Sequence, residues 1–588
     1  MLKKRKSQVG LALFAVLTLG ATACADGETD TGGESFVDCE EDPANCNSGE
    51  RQDGGDMVWA IDSGFSGWST LSVATRSVGQ FQIVQGVMPH MGEWLPDGEW
   101  AHNDGVLAEE PELINEDPMM VEYNLNPDAN WGDGNPITLE DFKWHRHQSS
   151  GDEELCDFER CDTSSTTYGS SVEEIEQTDD HTYVIEYVEG HTNPEWMYVQ
   201  VLSYPTHILE ENGMGDWETD RDAMGDSFEY FKTEPPLDWT AGPYKMVQAE
   251  NAEYVIYEPN PDWAGSIQPT LDTLQIAAFE DQDSILTEMR QGEVHGFAPS
   301  NLDQEIVSQV EFEEGVDFNL TTGPNWDHLD FNMQHELLQD PALREAIFTA
   351  IDVDDLIDRT YGLSMEGLER KTNHSFTNED DYHENIFGSD NPQGGGDINI
   401  AEEILEEAGY EWEGQDGALL TPDGEPVELD LSLSSGDRIR TTAAELIQHY
   451  LSVIGIDVNI TPFDGEELGS TLSGAHFDMI FYSWSTDPLF TNQPYNHWYS
   501  DSDSNYGNLE SEAVDEAVSR VRETTDLDEA AELANEAVRT VTEEAFVLPV
   551  VDAPVLLAVD EDLVNVRENP VQTVRPLYNM EEWGFAAE

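Results

Sequence analysis

The feature that most constrains the fold is an alternation of helix-like and strand-like segments in the second half of the chain. Apolar residues recur at helical spacing in four stretches: 340–361, 398–408, 443–454 and 511–542. Strand-like runs lie between and after them, at 427–435, 456–463, 477–484, 546–551 and 555–559. Helices that alternate with strands are typical of α/β proteins. We therefore predict an α/β fold with mixed sheets.

The first half shows the same kinds of pattern. Alternating apolar residues predict strands at 57–62, 121–131, 181–190 and 252–260. Thr138 stands three residues before Asp141, the spacing of a capping box, and so predicts the start of a helix. A chain of 588 residues is longer than one ordinary core, so two or three domains are expected.

The chain also carries a large negative charge. Its 124 acidic residues outnumber 24 lysines and arginines, and the formal net charge is −100. Repulsion of this size destabilises a compact state unless salt screens it. Because the carboxylates are spread along the chain, adaptation to a saline or alkaline medium is the first interpretation, and attraction of cationic ligands is the second. The charge argues against binding to nucleic acid, whose phosphates are negative too.

The N-terminus has the pattern of a secretory signal. Basic residues at 3–6 precede an apolar run, 9–19, which is too short for a bilayer that needs about 20 residues. The small residues at 21–23 and Cys24 then resemble a bacterial lipobox. We predict a signal peptide at 1–23, lipidation of Cys24 on the outer face of the cell membrane, and a solvated acidic tether at 24–55. Secretion without lipidation is the alternative.

The other four cysteines form two local pairs, Cys39 with Cys46 and Cys156 with Cys161. Outside the cytoplasm such pairs predict disulfides. Metal binding is the weaker interpretation, because no histidine stands at ligand spacing beside either pair.

Short motifs occur in a fixed order between about residues 57 and 560. They are Trp131-Gly132-Asp133-Gly134-Asn135-Pro136, Gly242-Pro243-Tyr244-Lys245, Asn260-Pro261-Asp262-Trp263, Leu343-Arg344-Glu345-Ala346-Ile347, Glu406-Glu407-Ala408-Gly409-Tyr410, Ile454-Gly455-Ile456 and Trp484-Ser485-Thr486-Asp487. This ordered set resembles the family 5 extracellular solute-binding proteins, the oligopeptide and dipeptide receptors of bacterial ABC importers.

The resemblance implies a periplasmic-binding-protein-like fold, with two lobes that close on a ligand by a hinge. Three domains with mixed sheets are expected. A discontinuous domain I would comprise 56–95, 240–322 and 550–588. Domain II, 96–239, would be inserted in domain I, and domain III would span 323–549.

The same resemblance implies ligand contacts. In peptide-binding members, the tryptophan and aspartate of the W-x-x-D element form an aromatic wall and a partner for the peptide ammonium; here they are Trp484 and Asp487. The alternative is that Trp484 belongs to the core and Asp487 caps a turn. The chain continues Pro488-Leu489-Phe490, which departs from the family pattern and leaves the shape of this loop open.

Further candidates lie elsewhere in the chain. Lys371 and His374 follow a predicted helix and could contact the carboxylate of a peptide, while Trp326, Phe65 and Trp68 are candidate wall residues. For the aromatic residues, a place in the core is the competing interpretation.

We therefore expect a receptor that captures peptides outside the membrane and delivers them to ABC permease subunits, without enzymatic activity. His335-Glu336 lacks the second histidine of a zinc protease motif. The alternatives are the same fold binding an oligosaccharide, for which 15 tryptophans could stack on sugars, or a metal chelate or haem. A cell-surface hydrolase or adhesin is a remote alternative. No cofactor or resident metal is expected, and the predicted state is a membrane-anchored monomer without nucleic acid.

Overall fold

A computed structural model of the chain describes residues 33–157, 159–237, 239–388, 391–414, 417–486 and 488–587. The predicted signal peptide, Cys24 and Asp487 lie outside these residues, and the predictions made for them stay untested.

The strands supply the framework. In chain order they are β1 (Asp56–Ile61), β2 (Gly92–Trp94), β3 (Trp100–His102), β4 (Glu112–Glu116), β5 (Met119–Asn124), β6 (Val172–Asp179), β7 (Thr182–Tyr187), β8 (Tyr244–Glu250), β9 (Tyr254–Pro259), β10 (Thr273–Ala278), β11 (Gly296–Phe297), β12 (Val316–Phe331), β13 (Glu411–Trp412), β14 (Leu419–Leu420), β15 (Glu428–Ser434), β16 (Asp457–Phe463), β17 (Met479–Ser485), β18 (Val547–Asp560), β19 (Leu563–Val564) and β20 (Gly584–Phe585).

The helices pack around these strands. They are α1 (Val78–Val84), α2 (Leu139–Gln148), α3 (Thr167–Ser171), α4 (His207–Glu211), α5 (Arg221–Thr233), α6 (Gln282–Met289), α7 (Gln304–Val310), α8 (Pro341–Ala350), α9 (Val353–Arg359), α10 (Ile398–Ala408), α11 (Arg438–Val453), α12 (Leu468–Ser473), α13 (Gln493–Trp498), α14 (Glu512–Arg520) and α15 (Leu527–Glu543). None of the described helices is both long and apolar enough to span a bilayer.

The principal sheet mixes parallel and antiparallel pairs. Its ten strands follow the order β16-β15-β17-β12-β18-β11-β1-β10-β9-β8. Strand β1 is parallel to β10 and β11, whereas β12 and β18 are antiparallel to each other. A separate four-stranded sheet has the order β4-β5-β7-β6. The predicted α/β fold with mixed sheets is therefore present.

Strands β12 and β18 are the longest in the principal sheet. They lie between one half, β16-β15-β17, and the other half, β11-β1-β10-β9-β8, and so join the two halves. Between 316 and 322, β12 pairs with 554–560; after an irregularity at 323–325, it pairs with 547–552. A second register shift separates Asp327 from His328. Pro549 and Pro554 lie at these irregularities, where a residue without a backbone N–H is tolerated.

Local sequence signals explain several element boundaries. Thr138 and Asp141 form the predicted capping box at the start of α2. The predicted helical stretch 340–361 is divided, because the Asp352 side chain accepts a hydrogen bond from the Asp355 backbone and starts α9. The Asp526 side chain likewise accepts a hydrogen bond from the Glu529 backbone and starts α15. The predicted helical stretch 511–542 therefore forms two helices, α14 and α15.

The prediction of a solvated tether at 24–55 is wrong for the described part of that segment. Residues 33–55 pack against the folded body: the backbone N–H of Gly33 donates to Phe318, and Phe36 is 3% exposed. Arg567 also donates to the carbonyl of Cys46. Phe36, Cys39 and Cys46 are buried in the core, so this acidic stretch includes the apolar contacts that dock it. Both predicted disulfides, Cys39–Cys46 and Cys156–Cys161, are present.

Candidate functional site

Trp484 stands near the end of β17, beside Trp326 of β12. The two residues are paired in the antiparallel register, so their side chains share one face of the sheet. Because side chains alternate along a strand, His328 and Asp330 lie on that same face, as does Tyr482 of β17. We call this group of five residues the aromatic face.

Trp484 lies within a stack of rings. The imidazole of His497, on α13, is 3.9 Å from it between ring centroids, and Tyr506 is nearly parallel to it at 5.5 Å. His328 is also parallel, with centroids 6.3 Å apart. Burial lowers the pKa of His497 to about 3, so this ring is neutral at physiological pH. The ring of His497 therefore adds no positive charge to this stack of aromatic rings.

His328 is fully buried and is oriented by a carboxylate. Its Nδ1 donates to Oδ1 of Asp330 at 2.5 Å, and the hydroxyl of Tyr482 donates to the other carboxylate oxygen at 3.0 Å. Within the described part of the chain, Nε2 of His328 has no hydrogen-bond partner. An imidazole whose Nδ1 carries the proton presents a lone pair at Nε2 when it is neutral.

His374 reaches Trp326 from a buried loop. Its ring lies 5.9 Å from that of Trp326 and 5.5 Å from that of Trp498. Nε2 donates to the carbonyl of Val547 at 3.1 Å, and Nδ1 has no partner among the described residues. Burial lowers the pKa of His374 to about 3, so Nδ1 is an acceptor.

A buried ion pair lies beside Trp326. Nζ of Lys371 lies 2.8 Å from Oδ1 of Asp552 and also donates to the carbonyl of Phe376. The ammonium is 5.5 Å from the Trp326 ring, at cation–π distance. Asp552 is paired with Trp326 in the sheet, so this pair lies at the irregularity of the long strands.

The opposite face of β12 carries a second buried polar group. The carboxylate of Asp327 accepts hydrogen bonds from Tyr361, Ser483 and Arg440, the last at 3.1 Å. Burial and the adjacent Asp327 raise the pKa of Tyr361 well above its usual value. These residues join β12 to α11 and keep the strand in position behind the aromatic face.

Two hydrogen bonds link the segment after β7 to the segments around α13 and α14. The backbone N–H of Thr491 donates to the buried carboxylate of Glu195 at 2.8 Å, and the hydroxyl of Thr192 donates to the carbonyl of Arg522 at 2.7 Å. The guanidinium of Arg522 lies 3.5 Å over the ring of Tyr495. We call these the closure contacts, because they join residues of the predicted domain II to residues of the predicted domain III.

The structure brings together some of the predicted site residues. Trp326, Trp484 and His374 are neighbours in one cluster, and Lys371 is beside Trp326. Phe65 and Trp68 are 4% and 3% exposed and belong to a different core cluster. A ligand role for all of these residues stays a prediction.

Sequence reasoning missed His328, Asp330 and His497. The run Trp326-Asp327-His328-Leu329-Asp330 could have identified the first two of these residues. Its polar side chains lie on both faces of β12, a strand in the interior of the sheet. Polar side chains in such a position require buried partners, which is uncommon outside a functional or hinge region.

A separate cavity of about 230 Å³ lies where the C-terminal segment meets the loops after α1 and β3. Glu93, Asp104, Glu581 and Glu582 contribute carboxylates to its lining. Burial, with these neighbouring carboxylates, raises the pKa of Glu581 to about 8, and burial also raises that of Glu93. Among the described residues, no group of three histidine, cysteine or acidic side chains is placed to hold a metal ion.

The sequence profile described as "Bacterial extracellular solute-binding proteins, family 5 Middle" matches residues 104–506, more than half of the chain. The chain belongs to this family. It is thus a substrate-binding receptor of an ABC importer and not an enzyme, as predicted, and it acts outside the cytoplasm with a membrane permease as its partner.

Relatives of this family 5 protein support the assignment. The oligopeptide-binding protein OppA of Mycobacterium tuberculosis is 24% identical over 531 residues, which cover 90% of this chain and 84% of OppA. The oligopeptide-binding protein AppA of Bacillus subtilis is 23% identical over 283 residues, 48% of each chain.

Solved structures share the fold. The periplasmic EDTA-binding protein EppA has a TM-score of 0.83 at 26% identity, and the match covers 93% of this chain and 99% of EppA. AppA from Bacillus subtilis, in complex with a nonapeptide, has a TM-score of 0.69 at 17% identity, with coverage of 92% and 100%. NikA from Brucella suis, in complex with Fe(III)-EDTA, has a TM-score of 0.71 at 16% identity, with coverage of 90% and 100%. The predicted periplasmic-binding-protein-like fold is confirmed.

Proposed function

We propose that this receptor captures peptides and holds them against the aromatic face. The observation that carries the proposal is the position of Trp484, near the end of β17, where its ring is stacked on the imidazole of His497. The full-length similarity to OppA favours a peptide over a sugar or haem. Asp487 is three residues beyond Trp484 and would pair with the ammonium of the peptide.

In this proposal the two halves of the principal sheet close around the ligand by a hinge in β12 and β18. The irregularity at 323–325 is next to the predicted boundary between domains I and III, which supports that boundary. The proposed receptor is a monomer, held at the membrane by a lipid on Cys24, and its peptide is released to the permease.

Calorimetry with the purified protein tests this function. Pools of tripeptides and pentapeptides should bind with micromolar dissociation constants, corresponding to about −8 kcal/mol. Trp484→Ala and Asp487→Asn should each weaken binding by tenfold or more, while the exposed control Asp503→Asn should not. If no peptide pool gives heat of binding, the peptide proposal is wrong.

A metal chelate is the second candidate. It is favoured by the similarity to the EDTA-binding protein EppA, which has the higher TM-score and identity of the structures compared above. Titration with Fe(III)-EDTA in the same calorimeter distinguishes the two candidates, since a chelate receptor would bind this probe and not the peptide pools.

A further inference from the structure

The cavity between the C-terminal segment and the loops after α1 and β3 has both apolar and acidic walls. Its volume is about 230 Å³, which is enough for a small organic molecule in place of water. The apolar wall consists of Met88, Leu95, Trp263, Ile267 and Tyr578. The acidic groups are Glu93, Asp104, Glu581 and Glu582, and none of the described residues that line the cavity belongs to the aromatic face. Apolar walls with a few polar groups are typical of small-molecule sites.

Two acceptors in this lining lack a donor from any other described residue. Gln85, which follows α1, is 7% exposed, and its Nε2 donates to Oε1 of Glu93 at 2.8 Å. Because a carboxylate accepts this bond, Oε1 of Gln85 is the amide atom left without a partner. The carboxylate of Glu581 accepts a hydrogen bond only from its own backbone N–H among the described residues. Buried acceptors without a donor cost free energy, so both atoms require an explanation.

The arginines near the cavity are bound by other groups. Arg567 forms an ion pair with Glu582 at 2.6 Å. Nη1 of Arg51 donates to the backbone carbonyl of Glu581 at 2.6 Å, not to its carboxylate. The negative charge of Glu581 is therefore not balanced by either guanidinium.

The other titratable groups around the cavity do not supply the missing donor. Nδ1 of His90 is 4.0 Å from the carboxylate of Glu93, beyond hydrogen-bond distance. His102 also lines the cavity, and it forms no ion pair with a described carboxylate. The hydroxyl of Tyr244 donates to the carbonyl of Met580 at 3.1 Å. A donor for the two acceptors must therefore come from outside these residues.

The arrangement of the acceptors favours an organic cation over a metal ion. Among the described residues, no three histidine, cysteine or acidic side chains converge as metal ligands do. Acceptors that are spread over a cavity of this size instead match a molecule with N–H groups at separate positions. The methylene groups of such a molecule would contact the apolar wall, and the ring of Trp263 would attract its positive charge.

We infer that this cavity binds a small organic cation of the diamine class, whose N–H groups donate to the carboxylate of Glu581 and to Oε1 of Gln85. The bound cation joins the C-terminal segment to the end of α1 and so stabilises the folded receptor. Because the cavity is separate from the aromatic face, the inference goes beyond the proposed peptide function and does not depend on it.

Calorimetry and thermal unfolding of the unaltered protein test the inference. The ionic strength is held constant, because a chain with a net charge of −100 attracts any cation. The probe is 1,4-diaminobutane, which should bind once per chain and raise the unfolding temperature. Butylamine, with one ammonium, should bind at least tenfold more weakly, and 1,4-butanediol should not bind. No binding of the diamine would refute the inference, and equal binding of magnesium chloride and the diamine would show a counter-ion effect only and also refute it.

Proton release gives a second readout on the same protein. Burial and the neighbouring carboxylates raise the pKa of Glu581 to about 8, so this group is mostly protonated at pH 7. An adjacent ammonium favours the charged form, and binding at pH 7 should therefore release about one proton. Titrations in phosphate and in Tris, which have different ionisation enthalpies, measure this number. Binding without proton release would contradict contact between the cation and Glu581.

Variants then locate the site. Glu581→Gln and Gln85→Met should each weaken diamine binding tenfold or more, and Glu581→Gln should also abolish the proton release. Glu305→Gln is the matched control: it removes one carboxylate from a second acidic depression, beside Asp281 and Asp303, and should change the affinity less than twofold. Thermal unfolding shows whether each variant is folded, and Glu581→Gln decides alone if Gln85→Met is not. An unchanged diamine affinity in folded Glu581→Gln would overturn the assignment of the site.

Discussion

The ammonium of Lys371 and the carboxylate of Asp552 form a fully buried ion pair at 2.8 Å, directly beside Trp326. Asp552 belongs to β18 and Trp326 to β12, and the pair lies where the register of these strands changes. The ion pair therefore connects the loop of His374 to the joint between the two halves of the sheet.

Removing one partner of this pair should be strongly destabilising. Lys371→Met leaves the Asp552 carboxylate buried without its cation, and we expect a loss of about 3–5 kcal/mol in the free energy of unfolding. The double variant Lys371→Met/Asp552→Leu removes both charges and should recover most of the loss. Chemical denaturation measures both; a double variant as unstable as the single one would contradict this account.

The closure contacts should affect the shape of the protein. Thr192→Val keeps the size of the side chain and deletes the hydrogen bond to the carbonyl of Arg522, worth about 0.5–1.5 kcal/mol. We expect a larger fraction of open molecules, seen as an increased radius of gyration in small-angle X-ray scattering without ligand. Thr287→Val, whose hydroxyl bonds only within its own helix, should leave the scattering unchanged.

The pKa of Glu581 predicts a pH dependence. In the folded state it is raised from the ordinary glutamate value of 4.5 to about 8, so the unfolded chain ionises first. The stability contributed by the protonated group is thus lost as pH rises from about 4.5 to about 8.

Glu581→Gln should therefore match the unaltered protein near pH 4 and exceed its stability above pH 8, by on the order of 5 kcal/mol. Thermal unfolding at several pH values, in constant high salt, measures the difference. Glu413→Gln, at an exposed position, should show no such trend. A pH-independent difference for Glu581→Gln would indicate that only packing has changed.

The Cys39–Cys46 disulfide closes a loop whose cysteines are seven residues apart, and in the chain-entropy model such a loop is worth roughly 2 kcal/mol. Replacing both cysteines with serine should loosen the docked segment 33–55 before the rest of the protein unfolds. Limited proteolysis should then cut this segment first. The equivalent replacement of Cys156 and Cys161 should not expose it.

Local signals predicted many elements well. Helix α10 spans 398–408 as expected, because Asp397 caps its start and Gly409 adopts a left-handed conformation at its end. The two strands predicted at 546–551 and 555–559 form one strand, β18. Pro554 lies between the two predicted runs, and its missing N–H falls at a register irregularity that only the pairing with β12 reveals.

The site was less predictable than the fold. Trp484 and Trp326 became candidates through resemblance and aromatic character, and their ligand role stays a prediction. His328 was not a candidate, since its contacts depend on Asp330 and on pairing with a strand some 150 residues away. The docking of 33–55 was missed for the same reason: the acidic composition suggested a solvated segment, and its partners, such as Phe318 and Arg567, are distant in sequence.

The docking of Gly33 onto Phe318 has a geometric consequence. Phe318 and Trp326 lie on one strand, eight residues apart, and at about 3.3 Å per residue that is a span of at most roughly 26 Å. Strand β12 therefore carries both the docking point of residues 33–55, at Phe318, and the aromatic face, at Trp326. The irregularity at 323–325 lies between these two points, so a bend of β12 there would change the distance between the docked segment and the aromatic face.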